Sequence, residues 1–128
     1  MQRRTLVALA TLAVTLSAPV FSQSGEIRLA HVYSKTGPLE AYGKQTQTGL
    51  MMGLDYATGG TMAVNGKKIV VIERDDQGKP DLGKSLLATA YSDDKADIAV
   101  GPTASGVALA MLPVAEEYKK ILLVEPAV

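Results

Sequence analysis

The hydrophobic residues of this chain fall into short runs that are apolar on both faces and longer stretches with helical spacing. The short runs lie at residues 27–33, 69–72, 97–100 and 121–124, and each is followed by a polar turn. Such runs are typical of parallel strands that helices cover on both sides. The pattern therefore predicts four buried parallel strands.

Three longer stretches between these runs have the spacing of amphipathic helices. The first covers residues 39–57 and is followed by Gly59-Gly60, a signal that ends a helix. The second begins at Pro80, because proline fits well in the first turn of a helix. The third covers residues 103–118, where Pro113 predicts an interruption or a kink.

The order of these elements predicts the fold. Asn65-Gly66 lies between two short apolar segments and indicates a hairpin before the second strand. With the alternating strands and helices, this predicts an α/β fold with a doubly wound, mostly parallel sheet. Ligands of such sheets bind at the edge where the strands end. The loops expected at that edge are residues 34–38, 75–79, 101–106 and 125–128.

The first 22 residues differ from the rest and are interpreted as a signal peptide. Residues 1–4 contain two arginines, and residues 5–16 are apolar but too short to span a bilayer. Small residues then precede Gln23. We expect export by the general secretory route into the periplasm, with residues 23–128 forming the folded lobe.

Composition excludes several classes of function. Without residues 1–22 the chain keeps 11 basic and 13 acidic residues, a net charge near −2 that gives no footprint for nucleic acid or an anionic membrane. The absence of cysteine excludes disulfides, thiolate metal sites and a lipid-modified cysteine. His31 is the single histidine, so no metal site and no cofactor are expected. We interpret His31 as a hydrogen-bonded strand residue.

One motif offers a rival, enzymatic interpretation. Residues 78–85 match the G-x-x-x-x-G-K-[ST] pattern of a phosphate-binding loop, which would place Lys84 at a phosphate. Four polar residues separate the preceding strand from Gly78, however, and nearby aspartates would repel an anion. The sequence favours an ordinary turn followed by a helix with Lys84 on its exposed face.

The turn at residues 101–106 is the strongest candidate for ligand capture. It gathers backbone N–H groups and hydroxyls where a helix begins, a place that suits an anion or a carboxylate. Ser105 lies there without a G-x-S-x-G elbow or a histidine–acid pair to activate it, so we interpret it as a hydrogen-bond donor and not as a nucleophile. Tyr42 follows the first strand's loop and could form a flat wall against an apolar ligand group. No catalytic residue is predicted.

The ordered set of motifs resembles the N-terminal part of type I periplasmic substrate-binding proteins of ABC importers, in the leucine/isoleucine/valine-binding family. The segments that carry the resemblance run in order through residues 25–128: Ile27-Arg28-Leu29-Ala30, Thr36-Gly37-Pro38, Tyr42-Gly43, Asn65-Gly66, Asp75-Asp76, Gly101-Pro102-Thr103-Ala104-Ser105-Gly106 and Pro126-Ala127.

This resemblance implies a set of ligand-binding residues. The Ser105 hydroxyl would bind the ligand carboxylate together with backbone groups of Thr103 and Ala104. Tyr42 would line the side-chain pocket. Ala127 and Val128 would contribute backbone contacts. Glu125 differs from the family, which frequently has a small hydroxyl residue there.

The resemblance also implies a function without chemistry on the ligand. We expect an exported binding component of an ABC importer for branched-chain amino acids, amides or related small organic acids, including aromatic ones. Its partners would be that ligand and a membrane permease, and the protein itself would be a monomer. Residues 23–128 would form one lobe, with a second lobe absent from the sequence. A ligand-sensing receptor or regulator domain of the same fold is the alternative.

Overall fold

A computed structural model of the protein describes residues 25–128, so the predicted signal peptide lies outside the described residues. In chain order the elements are β1 (Glu26–Tyr33), α1 (Glu40–Ala57), β2 (Ala63–Val64), β3 (Lys67–Asp75), α2 (Pro80–Ser92), β4 (Ile98–Val100), α3 (Ser105–Tyr118) and β5 (Ile121–Leu123). This order confirms the alternation of strands and helices that the apolar runs predict.

The five strands form one sheet in the order β2-β3-β1-β4-β5. The pairs β3–β1, β1–β4 and β4–β5 are parallel, and only the short β2 pairs antiparallel, with β3. The predicted doubly wound, mostly parallel sheet is therefore confirmed, and Asn65-Gly66 forms the turn of the β2–β3 hairpin.

The core lies on the face of the sheet that α2 and α3 cover. Ala30, Val32 and Ala99 of the sheet are fully buried there against Leu87 of α2 and Met111 of α3. The two helices approach closely because α2 carries a glycine where a methyl group would meet α3. Their apolar stripes therefore seal one side of the sheet.

The opposite face carries α1 and is less completely covered. Gly43 is the one residue of α1 classed as fully buried, and Ile121 and Leu123 of β5 are 65% and 57% exposed. The prediction that helices cover every strand on both sides is thus wrong for β5 within residues 25–128. Helix α1 meets the end of β1 at Gly43, beside Tyr33 and Ser34, and leaves the Ile121 and Leu123 side chains of β5 exposed.

Helix α3 differs from the predicted helix in two respects, its path through Pro113 and its first residue. It is continuous through Pro113, so the expected interruption is absent. A proline removes one hydrogen bond from a helix, and the buried side chains Val107, Met111 and Val114 around it supply packing that offsets this loss. The helix begins at Ser105 and not at Thr103.

Candidate functional site

The carboxyl edge of the sheet has a topological switch point next to β1. The chain runs from β1 through α1 to β3, and then returns through α2 to β4 on the other side of β1. The loops after β1 and β4, residues 34–39 and 101–104, therefore leave the sheet in opposite directions. Such a topological switch point is where open α/β sheets bind ligands.

The residues after β5 lie against the turn that follows β4. The Val128 N–H donates to the Thr103 carbonyl at 3.0 Å, and the Ser105 N–H donates to the Val128 carbonyl at 3.0 Å. The structure thus brings together Thr103, Ser105 and Val128, with Ala127 half-buried beside them. The Ser105 amide is engaged by Val128 and is not open to an anion as the sequence alone suggested.

The candidates in the turn after β4 divide into a buried and an exposed group. Thr103 is fully buried, and its Oγ1 accepts a hydrogen bond from the Ser34 N–H at 3.2 Å. Ala104 is half-buried and occupies the N-cap of α3 without capping it through its side chain. Ser105 is exposed at the first position of the helix. The Ser105 hydroxyl is therefore the accessible group, whereas the Thr103 hydroxyl joins two loops.

Tyr42 lies in the first turn of α1 and is 55% exposed. Its neighbour Gly43 packs against the backbone of Ser34, which holds this end of α1 on the loop after β1. Within residues 25–128 no hydrogen bond joins Tyr42 to Ser105 or Val128. The structure places Tyr42 directly after the loop that follows β1, and so at the same edge of the sheet.

A buried polar network, which the sequence motifs did not predict, connects the loops at this edge of the sheet. Ser34 and Asp76 are fully buried, and the Ser34 hydroxyl donates to Asp76 Oδ1 at 2.8 Å. The Gly78 N–H donates to the same oxygen at 2.7 Å. Together with the Ser34–Thr103 contact, the network joins the loops after β1, β3 and β4. The Asp75-Asp76 pair directly after a strand was the available signal for it.

Asp76 is a buried carboxyl group that this network satisfies only in part. Its Oδ2 is buried and has no partner among residues 25–128. Burial raises the pKa of this carboxyl, and the hydrogen bonds from Gly78 and Ser34 oppose the increase without cancelling it. At pH values between the unfolded and the folded pKa, the folded state therefore binds a proton that the unfolded state has released. Stability from this group is fully present below the unfolded pKa of about 4 and is lost as the pH rises through the folded pKa.

Replacing Asp76 by asparagine is expected to stabilise the protein at neutral pH. Asparagine keeps an acceptor for Ser34 and Gly78 and removes the buried charge. The unpartnered position then holds a neutral amide nitrogen instead of a charged oxygen. Because a buried neutral group costs less than a buried charge, we expect a gain of about 1 kcal/mol at pH 7 and less gain at pH 4. Urea unfolding of both proteins at the two pH values measures this. A gain that is larger at pH 4 would contradict the account.

Asp75, the last residue of β3, ties the loop after β1 to the loop after β3. Asp75 Oδ2 accepts from the Thr36 hydroxyl at 2.6 Å, and its Oδ1 accepts from the Thr36 and Gln77 amides. Burial alone would raise the pKa of Asp75, but these hydrogen bonds outweigh it and lower the pKa below the ordinary value. The loops after β1 and β3 are therefore held together by an ionised carboxylate at neutral pH.

Tyr33 and Glu73 form a second pair on the α1 face. The Tyr33 hydroxyl donates to Glu73 Oε1 at 2.9 Å, and burial together with this contact raises the pKa of the phenol. Burial would raise the pKa of Glu73, but hydrogen bonds from Tyr33 and Lys35 lower it below the ordinary value. Glu73 is thus a carboxylate that holds a neutral Tyr33 in place.

Helix α2 excludes a phosphate-binding loop at residues 78–85. The helix begins at Pro80, so Gly83 and Lys84 lie inside it and not in a loop. Gly83 is buried against α3, while Lys84 and Ser85 are exposed on the outer face. A phosphate cradle needs free N–H groups at these positions, and here they belong to a continuous helix.

The described part of the chain contains neither a closed pocket nor a cluster of three or more metal-ligating side chains. None of its helices is long and apolar enough to cross a membrane. The carboxyl edge of the sheet is therefore an open surface, on which the side chains of Ser105 and Tyr42 are exposed.

Comparison with known families and structures gives a consistent result. The family model described as periplasmic binding protein matches residues 26–128. A solved ABC-type branched-chain amino acid transporter from Rhodopseudomonas palustris is 68% identical, with a TM-score of 0.79 over 80% of this chain and 28% of that one. No curated protein matches the chain.

Two more distant structures share the fold. A solute-binding protein of an ABC transporter from Rhodopseudomonas palustris, in complex with 3,4-dihydroxybenzoic acid, is 29% identical, with a TM-score of 0.71 over 77% of this chain and 26% of that one. The LivJ substrate-binding protein from Streptococcus pneumoniae, in complex with isoleucine, is 24% identical, with a TM-score of 0.74 over 80% and 29%. The chain thus spans less than a third of the length of the structures it matches.

Proposed function

We propose that this chain, which belongs to the periplasmic binding protein family, forms the N-terminal lobe of the solute-binding component of an ABC importer. The 68% identity to an ABC-type branched-chain amino acid transporter supports this role. The family name implies the periplasm as its location, and residues 1–22 are proposed as the signal peptide that directs export there. The partners would be a membrane permease and a small-molecule ligand.

The observation that carries the proposal is the exposed Ser105 hydroxyl at the start of α3, beside the switch point of the sheet. The backbone of Val128 is hydrogen-bonded to the same turn, so the two chain segments present one continuous surface. A hydroxyl donor beside a helix N-terminus suits a carboxylate, because the helix dipole favours negative charge there. We propose small carboxylates as ligands: branched-chain amino acids, their amides and related organic acids, including aromatic ones.

Binding would follow from closure of two lobes around the ligand, without covalent chemistry. Ser105 and Tyr42 are both exposed within residues 25–128, so a second surface would have to bury the rest of the ligand. Tyr42 would supply a flat apolar contact while its hydroxyl stays in water. Residues 23–128 alone should therefore bind weakly or not at all.

A thermal-shift screen of the complete protein tests this function. The probes are leucine, isoleucine, valine and 3,4-dihydroxybenzoate, with ATP and magnesium as the contrast. We expect at least one carboxylate to raise the melting temperature, and Ser105→Ala to weaken its affinity at least tenfold, since a hydrogen bond to a charged group contributes about 1.5–3 kcal/mol.

The matched control is Ser85→Ala, which removes another exposed serine, on α2. It should leave carboxylate affinity unchanged. A shift with ATP and magnesium that Lys84→Ala abolishes, and none with any carboxylate, would overturn the proposal in favour of a nucleotide-binding protein.

A further inference from the structure

A buried polar cluster lies on the α1 face of the sheet. His31 of β1 is fully buried, and its Nε2 lies 3.2 Å from Glu125 Oε2. The Thr46 hydroxyl of α1 lies 3.0 Å from Glu125 Oε1, with the Gly43 carbonyl at 2.9 Å as a second acceptor. The His31–Glu125–Thr46 cluster therefore connects β1, α1 and the residues after β5.

The donor groups in this cluster can be assigned from chemistry. An ionised carboxylate only accepts hydrogen bonds, so His31 carries a proton on Nε2 when it bonds to ionised Glu125. The single hydroxyl proton of Thr46 is shared between Glu125 Oε1 and the Gly43 carbonyl. His31 Nδ1 is buried without a partner in the described part of the chain. The His31 ring also stacks on Tyr33, with centroids 4.1 Å apart and planes at 11°. The ring is thereby fixed in both position and orientation.

These contacts hold one end of the segment formed by residues 125–128. Glu125 is anchored to β1 and α1, while Val128, three residues further on, is bonded to Thr103 and Ser105. The backbone between two fixed points so close together has few conformations, so its groups are pre-organised before a ligand arrives. Pre-organisation raises affinity because less entropy is lost on binding.

The same contacts keep a negative charge away from the ligand surface. The Glu125 side chain is only 9% exposed and both of its oxygens are engaged inside the protein. An unpaired carboxylate in this segment would repel a carboxylate ligand at the neighbouring Ser105 turn. His31 and Thr46 therefore determine where this charge lies.

We infer that Glu125 is a positioning residue for ligand capture, held by His31 and Thr46, and that this cluster sets the affinity for a carboxylate ligand without touching it. The inference rests on the proposed function, since it takes Ala127 and Val128 as ligand contacts.

Calorimetric titration of the complete protein, with isoleucine and 3,4-dihydroxybenzoate as probes, tests this inference. Glu125→Ala should weaken affinity about tenfold, equivalent to one lost hydrogen-bonded anchor. His31→Leu should weaken it more, about a hundredfold, because it leaves the Glu125 charge without its partner. Adding Glu125→Ala to His31→Leu should then restore affinity to the level of Glu125→Ala alone.

Conservative variants separate positioning from folding. His31→Gln places an N–H close to the former Nε2 and should keep affinity within about threefold, as should Glu125→Gln, whose amide can still serve both neighbours. The matched control is Tyr91→Phe, which removes a 2.9 Å hydrogen bond to Ile121 at the opposite end of β5. It should lower stability but leave affinity unchanged.

A spectroscopic readout completes the test. In protein labelled with ¹⁵N-histidine, the His31 signal, identified by its loss in His31→Leu, should show the Nε2–H tautomer. The Nδ1–H tautomer would overturn the inference. Wild-type affinity in Glu125→Ala would overturn it alone and leave the proposed function intact. Failure of the wild-type protein to bind any carboxylate would overturn both.

Discussion

Replacing Gly101 by alanine is expected to lower the free energy of unfolding by about 4 kcal/mol, from backbone strain and overpacking together. Gly101 has a φ of +123°, a conformation that side chains rarely adopt, and a Cβ there would lie 1.9 Å from the Val32 carbonyl oxygen. That oxygen belongs to the backbone of β1 and cannot move without disturbing the sheet. The variant should unfold at much lower urea concentration.

The matched control for this prediction lies in the same turn. Gly106 has room for a methyl group, since its nearest neighbour would be Pro80 Cγ at 3.8 Å. Gly106 also lies in α3, where alanine is favoured over glycine by about 1 kcal/mol. Gly106→Ala should therefore be neutral or slightly stabilising. If the two variants had equal urea midpoints, the close approach of Gly101 to Val32 would be shown to make no contribution to stability.

Replacing Gly43 by alanine is the second large effect that we expect, a loss of about 3 kcal/mol from overpacking against the backbone. A Cβ at this position would lie 2.1 Å from the Ser34 carbonyl oxygen and 3.2 Å from Tyr33 Cδ2. The start of α1 would have to move away from β1. Because Tyr42 and Thr46 lie on that part of α1, we expect weaker ligand affinity in addition to the lower urea midpoint.

Helix α1 supplies its own control for this substitution. Gly49 lies in the same helix with nothing within 4 Å of a Cβ built on it. Gly49→Ala should raise stability by about 1 kcal/mol, because it gains helix propensity without a clash. If Gly43→Ala raised the urea midpoint as much as Gly49→Ala does, the packing of α1 on the loop after β1 would have been described incorrectly.

The elements that the sequence predicts well are those with a strong local signal. The strand at residues 69–72 was recognised from its β-branched residues, and the helix at Pro80 from its first-turn proline. The strand is longer in the structure and extends to Asp75, because polar Glu73 finds partners in Tyr33 and Lys35. A polar residue inside a strand has no local signature when its partners come from another strand.

The candidate site was predictable only in part. Ser105 and Tyr42 are exposed at the edge where ligands were expected, but this confirms accessibility and not binding. The interpretation of His31 as a hydrogen-bonded strand residue is confirmed, yet its partner Glu125 is 94 positions away in the chain. Contacts at such a distance depend on the pairing of β4 with β5, which a single sequence does not specify.

Thr103 is a second residue whose role depends on a contact that is distant in the sequence. Its position in a hydroxyl-rich turn suggested a ligand contact, whereas the structure buries it and directs its hydroxyl to the Ser34 amide. The backbone of the loop after β1 needs an acceptor at that point, and a buried N–H without one is costly. Its ligand role therefore remains a prediction, confined to its backbone.

A crystal structure of the complete protein with its bound carboxylate tests the central claim most directly. The account predicts that a ligand carboxylate oxygen lies about 2.5–3.0 Å from the Ser105 hydroxyl oxygen, the range of an O–H···O⁻ hydrogen bond, with the Tyr42 ring against the apolar part of the ligand. A ligand bound elsewhere on the protein, with Ser105 left in water, would contradict it.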